Sequence, residues 1–351
     1  MWLKNIITTL YEENFIMNLL YSKDTNEYFT SNGYDVCSSY PIINERDTVF
    51  STAGIQPLIR SYLEGKLTSD KKYFVPQSVI RTQFFKHLSE GTSLAFINGT
   101  TAKFNLSEAE YNKLVSDYLN YFYESGLVKE RITAVKDNEL YKDSWNGINI
   151  TGNRIFYYCD DLEIGDTTFF TNISSQKIET FCDLGFGLER LRWSQDRNKS
   201  YFDLYSDSKN ILTPRIKGLI SAISLLMLCD VRTSNKGNGY QAKKYFKELV
   251  RLLNKQDIDG EILKYFDECI TYWRDWQKVD DKLSDAYVMA KISKEYTKNG
   301  ILVILDELAN EGYPVRGIAK NLGITWDEFD FKLAQSGVPK EKIKILRKEK
   351  K

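Results

Sequence analysis

Catalytic chemistry has few places to reside in this sequence. The only histidine is His87, so a Ser-His nucleophilic triad can be built nowhere else. The five cysteines (Cys37, Cys159, Cys182, Cys229 and Cys269) show no metal-clip spacing, and four sit inside apolar runs and read as reduced core thiols. No metal held by protein ligands alone is expected. What remains is a set of arginines, carboxylates and glycines. Cys182-Asp-Leu-Gly-Phe-Gly-Leu-Glu-Arg-Leu191 places Asp183 just before Gly185 and Gly187, with Arg190 just after them. Pro76-Gln-Ser-Val-Ile-Arg81 ends on a second arginine. The planar fork of arginine meets phosphate or carboxylate bidentately and never loses its charge, so two of them suit a polyanionic substrate. Each segment alone also has a plain structural reading. Asp183 fits a turn or helix N-cap, Arg81 an edge-strand charge, and Gly-x-Gly-x-x-Arg a helix start with a surface arginine. Trp145 fits a core or lid aromatic, and Asn235 a turn.

Two textures carry these residues. Residues 1–20 hold apolar positions at helical spacing (Ile6, Ile7, Leu10, Phe15, Leu19). Ser107-Glu-Ala-Glu110 is a capping box ahead of Tyr111, Leu114, Tyr118, Leu119 and Phe122 on one helical face, with Gly126 as the stop. The aromatic and β-branched runs 154–159, 166–173 and 177–184 predict consecutive antiparallel strands, the last leading into a glycine-hinged helix over 185–193. From about residue 212 the pattern is helical. Residues 216–228 are nearly continuously apolar, which predicts burial on most sides, while 240–253, 262–276 and 283–308 are amphipathic. Residues 314–333 read as two short helices joined at Gly323. Asp207, Ser208 and Pro214 mark a boundary between an α+β unit over 1–208 and an all-helical unit over 209–351.

Taken together and in order, these segments resemble the signature motifs of class II aminoacyl-tRNA synthetases, the alanyl enzymes in particular. Phe50-Ser-Thr-Ala-Gly-Ile55 is similar to Phe-Thr-Asn-Ala-Gly-Met, residues 76–81 to Gln-Pro-x-x-Arg, and residues 182–190 to Val-Asp-Thr-Gly-Met-Gly-Leu-Glu-Arg. Trp145, Gly152-Asn153 and Asp161-Leu-Glu-Ile-Gly165 resemble the stretch that lines the alanine pocket. Thr233-Ser-Asn-Lys-Gly-Asn-Gly-Tyr240 is similar to Pro-Ser-Asn-Glu-Gly-Arg-Gly-Tyr of the tRNA-recognition helices, and Gly312-Tyr-Pro314 falls where those enzymes have Gly-Phe-Pro. The resemblance implies an antiparallel sheet flanked by helices, followed by a helical domain. It implies ATP-dependent activation of alanine, or a similarly small amino acid, with transfer to an alanine-type tRNA. Arg81 would hold the α-phosphate and the substrate carboxylate, and Arg190 the γ-phosphate end of a bent ATP, usually with Mg2+. Gly185 and Gly187 would let backbone approach the adenosine. Asp183 would accept the substrate ammonium in a pocket shared with Trp145, Asp166 and Gly185. Asn235, Lys243 and Lys244 would face the tRNA.

The departures from that pattern are specific. Residues 86–93 replace a longer stretch containing Arg-His-His, and Ala95-Phe96 stand where Glu-Met is usual. Asp166 replaces an asparagine and adds a negative charge beside the pocket. Gln241-Ala-Lys-Lys-Tyr-Phe-Lys247 puts lysines where the family has arginines, keeping the charge without the fork. The His and Cys pattern of the family's editing domain is absent, so no editing domain is expected. With 48 basic and 48 acidic residues, the chain carries no bulk charge to attract nucleic acid. Any such contact would come from a local patch, of which the tail 340–351 is the clearest. No apolar run has membrane-spanning length and no signal peptide opens the chain, so a cytoplasmic protein without membrane contact is expected. Two other readings stand beside the synthetase: the same adenylating site serving a carrier protein, small molecule or peptide, and a non-catalytic nucleic-acid binder built on the helix-turn-helix rhythm of residues 315–329.

Overall fold

The computed structural model describes residues 22–43, 48–205, 212–253, 260–277 and 285–310, together with 330, 331, 334, 340, 341 and 344. The helical pattern in 1–20, the boundary residues Asp207 and Ser208, Gly312-Tyr-Pro314, the helix pair around Gly323 and most of the basic tail lie outside the described residues. In chain order the elements are α1 (Ser22–Ser31), β1 (Asp35–Val36), α2 (Ile55–Leu63), β2 (Tyr73–Ile80), a 3₁₀ turn (Thr82–Lys86), β3 (Ala95–Phe104), α3 (Glu108–Glu124), β4 (Ile132–Lys136), β5 (Tyr141–Trp145), β6 (Ile148–Cys159), β7 (Leu162–Ile173), β8 (Phe181–Gly187) and α4 (Leu188–Trp193). Four longer helices follow: α5 (Pro214–Leu228), α6 (Gly237–Leu252), α7 (Gly260–Trp276) and α8 (Asp285–Asn310). By contacts, the described residues form one unit over 22–205 with 272–277, and another over 212–271 with 285–310.

The strands form one α+β sheet in the order β1-β2-β3-β8-β7-β6-β4, with β5 also paired to β6. All pairs are antiparallel except β1 with β2, so the sheet is mixed rather than purely antiparallel as expected. The reason is the connection: α2 and its flanking loops form a crossover long enough to return the chain in the same direction. β6 and β7 begin earlier than the aromatic runs suggested, because tight turns start them. Asn146 and Gly147 have φ of 53° and 75°, and Asp160 has φ of 54°. β8 begins later, at Phe181, and continues through Gly185 to Gly187, so the expected glycine hinge is strand and the helix starts at Leu188. Its glycines stay in the ladder because both neighbours pair with them: Gly185 opposes Thr100 and Asp166.

The back of the sheet is aromatic. Phe29 of α1 stacks on Phe74 of β2 at 3.7 Å, and Tyr118, Tyr121 and Phe122 of α3 pack against Phe186 of β8. Phe186 lies between Gly99 and Gly165, its cross-strand partners. A Cβ on Gly99 would stand 2.3 Å from that ring, and one on Gly165 would stand 2.1 Å from the Tyr118 hydroxyl. The helix α3 has both halves of its expected capping box. On the front, α2 covers one end of the sheet with a cluster that includes Ile55, Leu58, Val75, Ala102, Trp145, Phe170 and Phe181. The other end of that face carries the polar residues described below.

In the helical unit, Thr213 caps α5 and Pro214 occupies its first turn. Every residue from Ile216 to Leu228 is buried, as the nearly continuous apolar run predicts, and Lys217, Ser221 and Ser224 are buried with it. Arg215 of α5 pairs with Glu248 of α6 at 2.6 Å. All five cysteines are free thiols.

Candidate active site

Alternation along a strand and register across strands bring the charged residues to one face. On β8, Asp183, Gly185 and Gly187 point the same way. Asp166 of β7 lies opposite Gly185, Thr168 opposite Asp183, and Asn98 of β3 opposite Gly187. A small cleft opens there, lined by Arg81, Phe96, Asn98, Asp166, Gly185 and Arg190, with Glu163, Gly187 and Tyr201 among its other walls.

Arg81 stands one residue past β2. Its backbone N–H donates to the Leu94 carbonyl at 2.9 Å, and its Nε donates to the Thr52 carbonyl at 3.1 Å. Its guanidinium lies 4.9 Å from the centre of the Phe96 ring. The 50–56 segment is the bracket behind it. The Thr52 N–H and hydroxyl both donate to Gln56 Oε1, and the Gly54 N–H donates to Asn98 Oδ1 at 2.9 Å. Thr100 donates to the same Asn98 oxygen, while Asn98 Nδ2 donates to the Phe186 carbonyl. The Phe-Ser-Thr-Ala-Gly segment thus ties α2 to the middle of the sheet. Burial presses the Arg81 pKa down, countered mainly by the charge of Asp166, with Arg190 adding to the fall. An arginine still remains protonated under such pressure.

Arg190 sits on α4. Its Nε donates to the Gly91 carbonyl at 2.7 Å, and its Nη1 donates to the Glu163 carbonyl at 3.2 Å. Gly91 has φ of +72°, and a Cβ there would come within 2.8 Å of the Trp193 ring, so glycine is required. The neighbouring Glu189 turns into the core. It is 1 % exposed, accepts the Ile97 N–H on both oxygens at 3.0 Å, and accepts the Tyr272 hydroxyl at 2.9 Å.

The two aspartates are held with less compensation. Asp183 Oδ1 is enclosed and takes no hydrogen bond among the described residues. Burial pushes the Asp183 carboxyl well above the carboxylate range; Asp166 pushes it further and Arg81 opposes. The Asp166 carboxyl is pushed up to about 6, first by burial and then by Glu163, against Arg154, Arg81 and a hydrogen bond with Thr168. Arg154 lies between the Tyr141 and Phe156 rings and is paired to Asp137 at 2.8 Å. A Cβ on Gly185 would stand 3.9 Å from Oδ1 of both Asp166 and Asp183. The missing side chain leaves a space between two carboxylates, an arrangement suited to a cation or a cluster of N–H and O–H donors. Gly187 has no such role, since a Cβ there would meet only the Arg190 side chain at 3.7 Å or more.

Of the residues expected from sequence, Arg81, Asp166, Gly185, Gly187 and Arg190 line this cleft, and Asp183 lies beside Gly185 without lining it. Trp145 lies elsewhere. It packs 5.9 Å from Phe170 and 6.1 Å from Tyr141, in the apolar cluster at the other end of the same face, because it closes the β5–β6 hairpin opposite Ile148. Asn235, Lys243 and Lys244 belong to the helical unit, where Lys243 Nζ donates to Asn235 Oδ1 at 2.9 Å. Their loop depends on Gly239, whose added Cβ would strike Ser234 Oγ and the Arg232 carbonyl at 2.4 and 2.5 Å. Sequence reasoning missed Asn98, Gly91 and Tyr201, while Glu163 falls in the 161–165 stretch it had placed at the pocket. Asn98-Gly99 carries the signature of a turn, which hides a strand residue at the centre of the site.

No known protein-family model matches the chain. It is similar to an alanine–tRNA ligase of Staphylothermus marinus, 23 % identical over 396 aligned positions that span 90 % of this chain and 42 % of the relative. The chain therefore spans less than half the length of that relative. The similarity is distant, and it points to a relationship with aminoacyl-tRNA synthetases.

Proposed function

We propose that this protein is an aminoacyl-tRNA synthetase-like enzyme that activates a small amino acid, alanine or one of similar size, as its adenylate. The observation that supports this best is the convergence of Arg81, Arg190 and Asp166 on one cleft, with Asp183 beside its wall residue Gly185. Two fixed cations and two carboxylates suit a substrate pair made of a polyanion and a zwitterion. Activation is attack of a carboxylate oxygen on the α-phosphorus of ATP, with pyrophosphate leaving. The protein's task is to align two anions that repel each other and to offset the charge that develops. In this reading Arg81, braced by Thr52, bridges the substrate carboxylate and the α-phosphate. Asp183 accepts the ammonium, and Gly185 leaves the room for it. Phe96 offers a ring face within the cleft. Arg190, with donors left beyond its two carbonyl contacts, takes the polyphosphate end.

Magnesium fits only as a companion of the nucleotide. Among the described residues no group of three or more His, Cys, Asp or Glu side chains could hold a metal ion. Glu163 and Asp166 are the lining carboxylates, and phosphate oxygens would have to complete the coordination. When bound, the ion would supply charge neutralisation at the phosphates.

In the same reading, residues 1–208 form the adenylate and 209–351 recognise tRNA, with Asn235, Lys243 and Lys244 at the contact. One observation favours a second acceptor, a carrier protein or peptide: the Asn235 oxygen is already occupied by Lys243 of the adjoining helix. Among the described residues no helix is long and apolar enough to cross a membrane, and we place the activity in the cytoplasm. The test is pyrophosphate exchange with each amino acid, followed by charging of total tRNA. Absence of exchange with every amino acid, in a protein that binds ATP, would refute the proposal.

A further inference from the structure

The front face of the sheet holds two buried carboxyls, Asp166 and Asp183, that its arginines compensate only in part. Arg154 is committed to Asp137 at 2.8 Å. Arg190 spends two of its donors on backbone carbonyls on the other side of the cleft. Arg81 is left to face both Asp166 and Asp183. A bound α-amino acid does not change this balance, because it brings one charge of each sign. With the ligand's carboxylate on Arg81 and its ammonium on Asp183, Asp166 keeps Thr168 and the charge of Arg154 but gains no bond from the ligand.

Geometry says where the missing partner would sit. Asp166 lies directly across from Gly185, and Asp183 precedes Gly185 by two residues on the same face. Their Oδ1 atoms are equidistant, at 3.9 Å, from the point where a Gly185 side chain would begin. Asp183 Oδ1 is enclosed and accepts nothing. Asn98 Nδ2 is nearer to that point, at 3.4 Å, but donates to the Phe186 carbonyl, so the two acceptors match a ligand with two donors on adjacent carbons. In an amino acid, the α-nitrogen and a heteroatom on Cβ lie about 3 Å apart in a gauche rotamer. Both can then reach this pair at once, one on each carboxylate. Alanine offers only the ammonium, whose three N–H donors all radiate from one atom, so it has no second donor atom to place on the other carboxylate.

We propose that Asp166 makes the cleft selective for a small amino acid bearing a hydrogen-bond donor on its β-carbon, a hydroxyl or an amine, over alanine. This rests on the adenylation reading for its chemistry but not for its binding. The upward pressure on both carboxyls in the unliganded cleft is the expected companion of such a site, relieved when the donor arrives. A site built to bond a substrate donor discriminates against the analogue lacking it far more strongly than an apolar pocket discriminates by one methylene.

The experiment compares L-alanine, L-serine and L-2,3-diaminopropionate with the full chain and with Asp166→Asn, a change that keeps the shape and removes the charge. Exchange kcat/KM is measured together with calorimetric binding. Wild type should prefer serine or diaminopropionate to alanine by about tenfold or more, and Asp166→Asn should move that ratio toward alanine by a similar factor. A wild type that prefers alanine overturns the inference whether or not the variant folds, and so does a ratio unchanged in the variant. If no amino acid supports exchange, the adenylation reading fails and calorimetry decides the pocket separately. Diaminopropionate bound more tightly than alanine, with the advantage lost in Asp166→Asn, upholds it; equal or absent binding overturns it.

Discussion

Asp166 should cost the unliganded protein stability at neutral pH, and removing its charge should recover it. Its carboxyl titrates near 6 in the folded protein, against an ordinary value of 3.8. Between those values the folded state holds a proton that the unfolded chain releases, so stability falls as pH rises through roughly 4 to 6. At about 1.4 kcal/mol per unit, the shift amounts to on the order of 3 kcal/mol once the group is ionised. The cleft opens to solvent and Asp183 titrates in the same field, so roughly 1–3 kcal/mol is the expected gain from Asp166→Asn near pH 8. The groups facing the carboxylate are Glu163 and Asp183 on one side of the balance, and Arg154, Arg81 and Thr168 on the other. The variant removes the repulsion and keeps a side chain that can accept from Thr168. Melting curves of wild type and variant near pH 8 and near pH 4.5 test this, with a shift of roughly 2–4 °C per kcal/mol for a unit of this size. The gain should be present at the higher pH and absent at the lower. A variant less stable than wild type near pH 8, or equally stabilised at both, would refute the reasoning. It would mean that the carboxylate is compensated by its arginines.

Arg190→Ala should lower pyrophosphate exchange by on the order of 100-fold or more, the effect of losing a positioned charge on a polyanion; a loss of only a few-fold would restrict Arg190 to bracing Gly91 and Glu163. Asn235→Ala should slow tRNA charging while leaving exchange nearly unchanged, whereas equal loss in both assays would make that loop purely structural. Gly165→Ala places a methyl 2.1 Å from the Tyr118 hydroxyl and 2.5 Å from the Gly185 carbonyl, where Tyr118 donates at 2.8 Å. It should destabilise by roughly 1–3 kcal/mol, seen as a lower melting temperature; no change would show that α3 can shift freely behind the site.

What the sequence by itself determined was local. The Ser107–Glu110 capping box, the buried run of α5 and the amphipathic helices after it each follow from neighbours within a few residues, where spacing alone decides which face is apolar. Arg81 and Arg190 could be singled out as cations suited to a polyanion, and Asp183 by its place before Gly185 and Gly187, with their roles implied by the resemblance. Only the tertiary structure decided what lies beside them. β1 runs parallel to β2 because of a crossover, and Gly185 is strand because two neighbours hold it in register. Gly99 follows an asparagine as in a turn, yet it sits mid-strand because Phe186 occupies the space of its side chain. Trp145 falls in the apolar cluster rather than in the cleft, and Asp166 and Asp183 meet across Gly185. The reason is that periodicity assigns a residue to a face, whereas its partners on that face come from strands far away in the chain, and cross-strand register carries no signature in either strand alone.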